Sequence, residues 1–301
     1  MNSQSRQPRN PRFVFFGSSR LSVIVLDELA KAGLYPQAVV TTPDKPQGRK
    51  LILTPNVVKT WATQKDDPIR VHDFAKLDQE AEKILKQENA EVFIVASYGK
   101  IIPASIINIP PGKTLNIHPS LLPQYRGASP LQQAILDDTK KTGVTIMEMD
   151  ELMDHGPIVS QREVTVHEWP TYEDFEEMMA KEGASLLLEI LPAWLEGKIS
   201  AKGQDHALAT KTRKFIKEDG LIQTADFETD PYLVFRKIQA FHNWPQAYFF
   251  IKRAGKDLRV KITAASFKDG RLTIEKVIPE GSREMPYRDL EWAERISSLE
   301  R

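Results

Sequence analysis

Cysteine is absent from the 301-residue chain. That excludes disulfides, thiolate nucleophiles and cysteine metal sites, so any chemistry runs on oxygen and nitrogen groups, and it fits a reducing compartment. Net charge is lacking too. Lys plus Arg and Asp plus Glu number 41 each, which leaves no global field to draw the chain to nucleic acid or to a membrane surface. Any such preference has to be local. No run approaches the ~20 apolar residues of a membrane span. A Ser/His/Asp elbow, HExxH and clustered metal-ligand spacing are missing as well, so no metal is expected. Gly17-Ser18-Ser19 follows the first apolar run without the further glycines of a dinucleotide fingerprint, and no NAD site is expected. The opening MNSQSRQPRNPR is polar and basic with no apolar stretch, which reads as a loose arm and not as a secretory leader. A cytoplasmic chain of two-domain length is the expectation.

The first half alternates short β-branched or aromatic runs with helical patterns. FVFF (13–16), QAVVTT (37–42), VFIVAS (92–97), TLNIH (114–118) and GVTIMEMD (143–150) read as strands. Helices are expected over 21–32, near 55–65, over 78–88 and over 129–136 behind a serine cap at Ser129. Continuously apolar strands belong to parallel sheets covered on both faces. The expected class is α/β, with an open, mostly parallel, Rossmann-like sheet. A long helical pattern runs from Thr171 to Leu195, and the small, polar, basic stretch GKISAKGQDHALATKTRK supplies a linker. Beyond it a helix near 231–241 precedes alternating runs with turns at Gly255 and Gly270, the pattern of a small antiparallel sheet or OB-like β-barrel. The expected boundaries are 1–197, 198–211 and 212–301.

One short stretch stands out for chemistry: LNIHPSLLPQYRGASP, residues 115–130. Residues two apart on a strand share a face, so Asn116 and His118 point one way while Leu115 and Ile117 point the other. Sites in open α/β sheets form beyond the carboxyl ends of strands, where this pair sits if Pro119 ends its strand. An amide there can donate to an oxygen that becomes negative during acyl transfer, and an imidazole can move a proton near neutrality. His118 wants an orienting carboxylate, and MDELMDHG offers Asp150, Glu151 and Asp154. On spacing alone, a hydrogen-bonded structural pair is the commoner occupant of such a strand end.

NIHPSLLPQYRGASP, with TGVTIMEMDELMDHGPIV downstream, resembles the signature of the folate-dependent formyltransferases. The resemblance extends to FFGSSRLSVIVLDEL, TTPDKPQGRKLILTPNVVK and ASYGKIIP, and to ATKTRKFIKEDGLI, AFHNWPQAYF and PEGSREM in the last third, so it covers nearly the whole chain. It implies transfer of the formyl group of 10-formyltetrahydrofolate to the α-amine of methionine on initiator transfer RNA, with no metal and as a monomer. Asn116, His118 and Asp154 take the positions of the family's catalytic trio. Ser120, Leu121, Leu122 and Pro123 match its folate-contacting stretch. A sugar-nucleotide N-formyltransferase would share both features, and a non-catalytic RNA-binding protein stays open as a reading of another class. The chain departs from the family pattern at Ser18-Ser19, at Pro119, at Asn243 and at Leu51-Ile52-Leu53, which stand where lysines are common.

The loop PDKPQGRK (43–50) reads as an ordinary connection on composition and as an acceptor-stem contact by resemblance. Arg126 is expected either to cap or salt-bridge a helix or to touch substrate. Lys252, Arg253, Lys256, Arg259, Lys261, Lys268, Arg271 and Lys276 face only Asp257, Asp269 and Glu275, a locally basic stretch suited to a phosphate backbone. Phe241, Trp244 and Tyr248 are expected in the core of the second domain. Tyr125 has no assigned role.

Overall fold

In the computed structural model, residues 10–47, 51–253 and 255–290 are described. The N-terminal arm through residue 9, and Gly48, Arg49 and Lys50 of the 43–50 loop, lie outside them.

The first unit is built on a seven-stranded sheet. Its strands are β1 (Phe13–Phe16), β2 (Ala38–Val40), β3 (Arg70–His72), β4 (Val92–Val95), β5 (Thr114–His118), β6 (Lys141–Glu148) and β7 (Ile158–Thr165), in the order β7-β6-β5-β4-β1-β2-β3. β1 runs parallel to β2 and β4, β2 to β3, and β4 to β5, while β6 is antiparallel to β5. Every side chain of β1, β2, β4 and β5 is buried, which is why these strands carry unbroken apolar runs. Burying each Phe or Val there stabilises the unit by about 1.5–3 kcal/mol. The expected open, mostly parallel sheet is present.

The strand order reverses between β1 and β4, where open α/β sheets form their crevices. Gly17 follows β1 because a Cβ would stand 2.6 Å from Ser22 Cβ and 2.7 Å from the Phe15 ring. Ser19 then caps helix Arg20–Lys31 in a reciprocal box with Ser22. Ser18 Oγ donates to the carbonyl oxygens of Tyr98 at 2.7 Å and Ser97 at 3.1 Å. The serines at the reversal are thus engaged with the chain itself. Tyr98 is buried beside Phe16, and burial pushes its hydroxyl up to about 12, so it moves no proton near neutrality.

Helix Tyr172–Leu195 determines which face of β5 is free. A Cβ on Gly183 would stand 2.5 Å from Ile117 Cγ2, so the helix backbone lies directly against Ile117. Ile117 is therefore committed to that helix, and Asn116 and His118 occupy the opposite face. Ser129 holds the cap position of helix Pro130–Leu136 but makes no side-chain cap bond, contrary to expectation; its N–H donates to Thr212 Oγ1 at 3.1 Å instead.

Chain contacts divide the molecule into two units. The second contains residues 129–141 and 165–176 as well as 212–301. Its sheet is antiparallel with strands Tyr248–Arg253, Lys256–Lys268, Arg271–Pro279 and Met285–Pro286 in sequence order, and Gly255 and Gly270 take the left-handed backbone their turns require. Helix Pro231–Ala240, capped by Asp230, packs Val234 and Ile238 on Phe249, Val260, Ile262 and Val277. Phe241 and Tyr248 are buried as expected. Trp244 is not: it is 57% exposed, because the helix has already ended at Phe241 and the ring lies in the turn before Tyr248.

Candidate active site

β5 delivers Asn116 and His118, both buried, to one face of the sheet at its carboxyl end. Among the described residues nothing is hydrogen-bonded to the Asn116 side chain, which leaves its amide as an available donor. His118 is held on two sides. Nε2 lies 3.0 Å from the carbonyl oxygen of Tyr125, and Nδ1 lies 3.6 Å from Asp154 Oδ1. A carbonyl can only accept, so Nε2 carries a hydrogen and Nδ1 is the nitrogen presented to the carboxylate.

Of the three carboxylates offered downstream, Asp154 reaches the site. Asp150 bonds His155 Nδ1 at 2.6 Å and the N–H of Leu152, and Glu151 is exposed. Asp154 has φ +50, a left-handed conformation that Asp tolerates better than most residues. Its Oδ2 accepts the Gly127 N–H at 2.7 Å, which fixes the carboxylate while Oδ1 faces His118. Two residues on, Gly156 has no room for a Cβ, which would stand 2.0 Å from the Glu148 carbonyl oxygen. The loop can fold back over β6 only with glycine there.

The stretch 120–123 divides into inward and outward residues. Ser120 is buried; its Oγ donates to Gln124 O at 2.6 Å and its carbonyl accepts from Thr145 Oγ1. Leu122 is buried with its N–H on Thr145 Oγ1 and its carbonyl on Gln161 Nε2. Both are satisfied within the chain. Leu121 and Pro123 are half-buried and retain surface for a ligand.

Arg126 is turned inward. It is buried and donates through Nε and Nη2 to Gln204 Oε1 at 3.1 and 2.6 Å, and through Nη2 to His206 Nδ1 at 2.9 Å. Gln204 and Thr210 fall in the stretch read as a linker, and both are bonded to the site loops. Sequence reasoning missed them; a buried Gln amid small polar residues leaves no periodic trace. The hairpin Lys45–Gln47 with Ile52–Thr54 carries an exposed apolar tip at Leu51, Ile52 and Leu53. Nearby, Lys100 Nζ donates to the carbonyls of Phe74 and Ala75, and burial, then the charge of Lys45, lowers its pKa.

A family model described as formyl transferase matches residues 11–191. A methionyl-tRNA formyltransferase of Chloroflexus aggregans (strain MD-66 / DSM 9485) is 38% identical over 91% of this chain and 87% of its own length. One from Sulfurihydrogenibium sp. (strain YO3AOP1) is 38% identical over 79% and 75%. Among solved structures, a sugar N-formyltransferase from Shewanella sp FDAARGOS_354 has a TM-score of 0.62 at 17% identity, covering 86% of this chain and 100% of that one. HypX from Aquifex aeolicus in complex with tetrahydrofolic acid has a TM-score of 0.63 at 18% identity, covering 94% and 47%. At those identities the two structures speak to the fold alone.

Proposed function

The chain belongs to the formyl transferase family, and from that membership we infer that it transfers the formyl group of 10-formyltetrahydrofolate to the α-amine of methionyl-tRNA, the initiator tRNA of translation. The choice of acceptor rests on the relatives at 38% identity, which carry that activity in their names over most of both chains. The observation that supports acyl chemistry in this chain is the Asn116 amide, without a hydrogen-bond partner among the described residues, on the same strand face as His118, which Asp154 approaches.

The folate, when bound, supplies the formyl carbon and a leaving nitrogen. Asn116 donates its N–H to the oxygen that gains charge as the amine adds, a contribution of about a hundred- to a thousand-fold in rate. His118 offers its Nε2–H to the same oxygen by exchanging the Tyr125 carbonyl for it. Asp154 stabilises positive charge on His118 from the Nδ1 side and relays the amine's proton toward the leaving nitrogen. Leu121 and Pro123 give the folate apolar contact, while Ser120 and Leu122, satisfied internally, hold the backbone beneath it.

Residues 212–301 serve as the RNA-docking part. Cross-strand pairing puts Tyr248 opposite Lys261, Phe250 opposite Arg259 and Lys252 opposite Asp257, so these side chains share the face turned away from Phe249 and Val260. Arg259 covers the buried Tyr248 ring and Phe250 is 43% exposed, which sets a cation beside one exposed aromatic ring. Only Lys252 and Lys276 of the eight basic residues have an acidic partner within ion-pair distance among the described residues. The 43–50 loop contacts the acceptor stem.

No helix among the described residues is long and apolar enough to cross a membrane. A cytoplasmic monomer goes with this reading, and light scattering on the purified protein checks its mass. Incubation with labelled formyl-folate and methionyl-tRNA is expected to give labelled formylmethionyl-tRNA; no label in the tRNA fraction would sink the assignment.

A further inference from the structure

We propose that Gln204 is a positioning residue that holds the two neighbours of His118 in place. The kinetic part of the proposal rests on the formyl-transfer reading above; the geometric part does not.

The two groups facing His118 come from different loops. Tyr125 O stands against Nε2 and Asp154 Oδ1 against Nδ1. Both residues hold left-handed backbone, with φ +60 at Tyr125 and +50 at Asp154. Such conformations cost on the order of 1–3 kcal/mol each and persist only where the surroundings impose them. Here the same segment imposes both. Thr210 Oγ1 accepts the Tyr125 N–H at 2.8 Å, and the Thr210 carbonyl accepts the Arg126 N–H at 2.9 Å. Gln204 Nε2 donates to the carbonyl oxygens of Asp154 at 3.0 Å and Gly156 at 2.7 Å, and Gln204 Oε1 accepts from Arg126.

Elementary chemistry fixes the orientation of that amide. A guanidinium only donates and a carbonyl only accepts, so Oε1 faces Arg126 and Nε2 faces the two carbonyls. Both hydrogens and both lone pairs are then used. Gln204 is also buried, where each bond counts for more than at a surface. One amide thereby joins the Arg126 end of the Tyr125 loop to the backbone of Asp154. A displacement of about 1 Å at a reacting group costs on the order of a hundred-fold in rate, so this link bears on turnover without touching substrate.

A residue that merely fills buried hydrogen bonds would affect stability and spare the chemistry. Gln204→Glu separates the two roles. It keeps the shape and the acceptor for Arg126, and it replaces the donor facing Asp154 and Gly156 with a second acceptor. Gln204→Met, neutral and of similar size, removes every bond; if it does not fold, Gln204→Glu carries the test. We expect kcat to fall about tenfold or more, KM for folate and for methionyl-tRNA to stay within about twofold, and the pH profile of kcat to change shape. The ring nitrogen signals of His118 in a 15N NMR spectrum are expected to move in the same variants. Wild-type kcat within about twofold together with unmoved His118 signals overturns the proposal. If the wild-type protein transfers no formyl group while the His118 signals still move on substitution, the functional reading falls and the positioning role stands.

Discussion

His118 stands between a carbonyl and a carboxylate, its Nε2 at 3.0 Å from Tyr125 O and its Nδ1 at 3.6 Å from Asp154 Oδ1. The second contact is longer than a hydrogen bond, while the other oxygen of Asp154 is committed to Gly127 N–H at 2.7 Å. The carboxylate is anchored by the chain and faces the imidazole at a distance where charge matters more than hydrogen bonding. In the proposed mechanism Asp154 is the counter-charge to His118 and carries the amine's proton.

Replacing each of the three groups tests that division of labour. Asn116→Ala is expected to lower kcat about a hundred-fold or more with little change in Tm, because the amide has no partner among the described residues to lose. Asp154→Asn keeps an acceptor for Gly127 N–H and removes the charge, so a comparable fall in kcat without unfolding isolates the electrostatic part. His118→Ala is expected to lose most activity. Turnover retained in that variant would remove the imidazole from the mechanism.

Packing behind β5 carries to the same atoms. Alanine at position 183 gains about 1 kcal/mol of helix propensity, but its Cβ would stand 2.5 Å from Ile117 Cγ2, and overpacking costs about 1–3 kcal/mol. The second effect outweighs the first or matches it. Ile117 lies between Asn116 and His118, so Gly183→Ala is expected to reduce kcat severalfold even where Tm changes by only a few degrees. An unchanged kcat would mean that the helix yields and not the strand.

The fold and the chemistry were legible in the sequence to different depths. Unbroken apolar runs such as FVFF and VFIV announce buried parallel strands, and the two-residue period of TLNIH places Asn116 and His118 together. Ile117 against Gly183 explains why that face stays free, which no local pattern reveals. Residues 198–211 read as a linker because composition reports the average environment of a stretch, whereas Gln204 is buried through partners near positions 126 and 154. Arg126 was ambiguous for the same reason. Trp244 was expected in the core from its residue type, and only the end of the helix at Phe241 places it outside.

Charge on the outer sheet face makes a separable prediction. Arg259→Glu and Lys261→Glu are expected to weaken tRNA binding, most at low salt, and to reduce the slope of log affinity against log salt by about one for each phosphate that is no longer neutralised. Formyl transfer at saturating tRNA should be little changed. Equal affinity of wild type and variants at low salt would show that RNA docks elsewhere.

Asp138 gives the second unit an acid-sensitive point. Burial raises its carboxyl pKa, but hydrogen bonds from Trp169 Nε1 at 2.6 Å and Tyr232 OH at 2.8 Å, with Lys140 beside them, outweigh burial and hold it below the usual value. A folded pKa below the unfolded one adds stability above the unfolded value of about 3.9 and loses it as pH falls through the folded value. With the side chain about a third exposed, the contribution is discounted to about 1–2 kcal/mol. Asp138→Asn is expected to lower Tm at pH 7 by several degrees and to narrow its gap from wild type in acid, as read by calorimetry across pH. A gap that does not change with pH would remove the charge from the explanation.

A side-by-side assay decides whether this site formylates methionyl-tRNA. With one preparation and labelled 10-formyltetrahydrofolate, initial rates are compared for charged initiator methionyl-tRNA, the same tRNA uncharged, and an amino-sugar nucleotide. Rapid label transfer to the charged tRNA is expected, with none to the uncharged one and a rate with the sugar nucleotide lower by orders of magnitude. Faster transfer to the amino sugar, or none to methionyl-tRNA, would overturn the assignment.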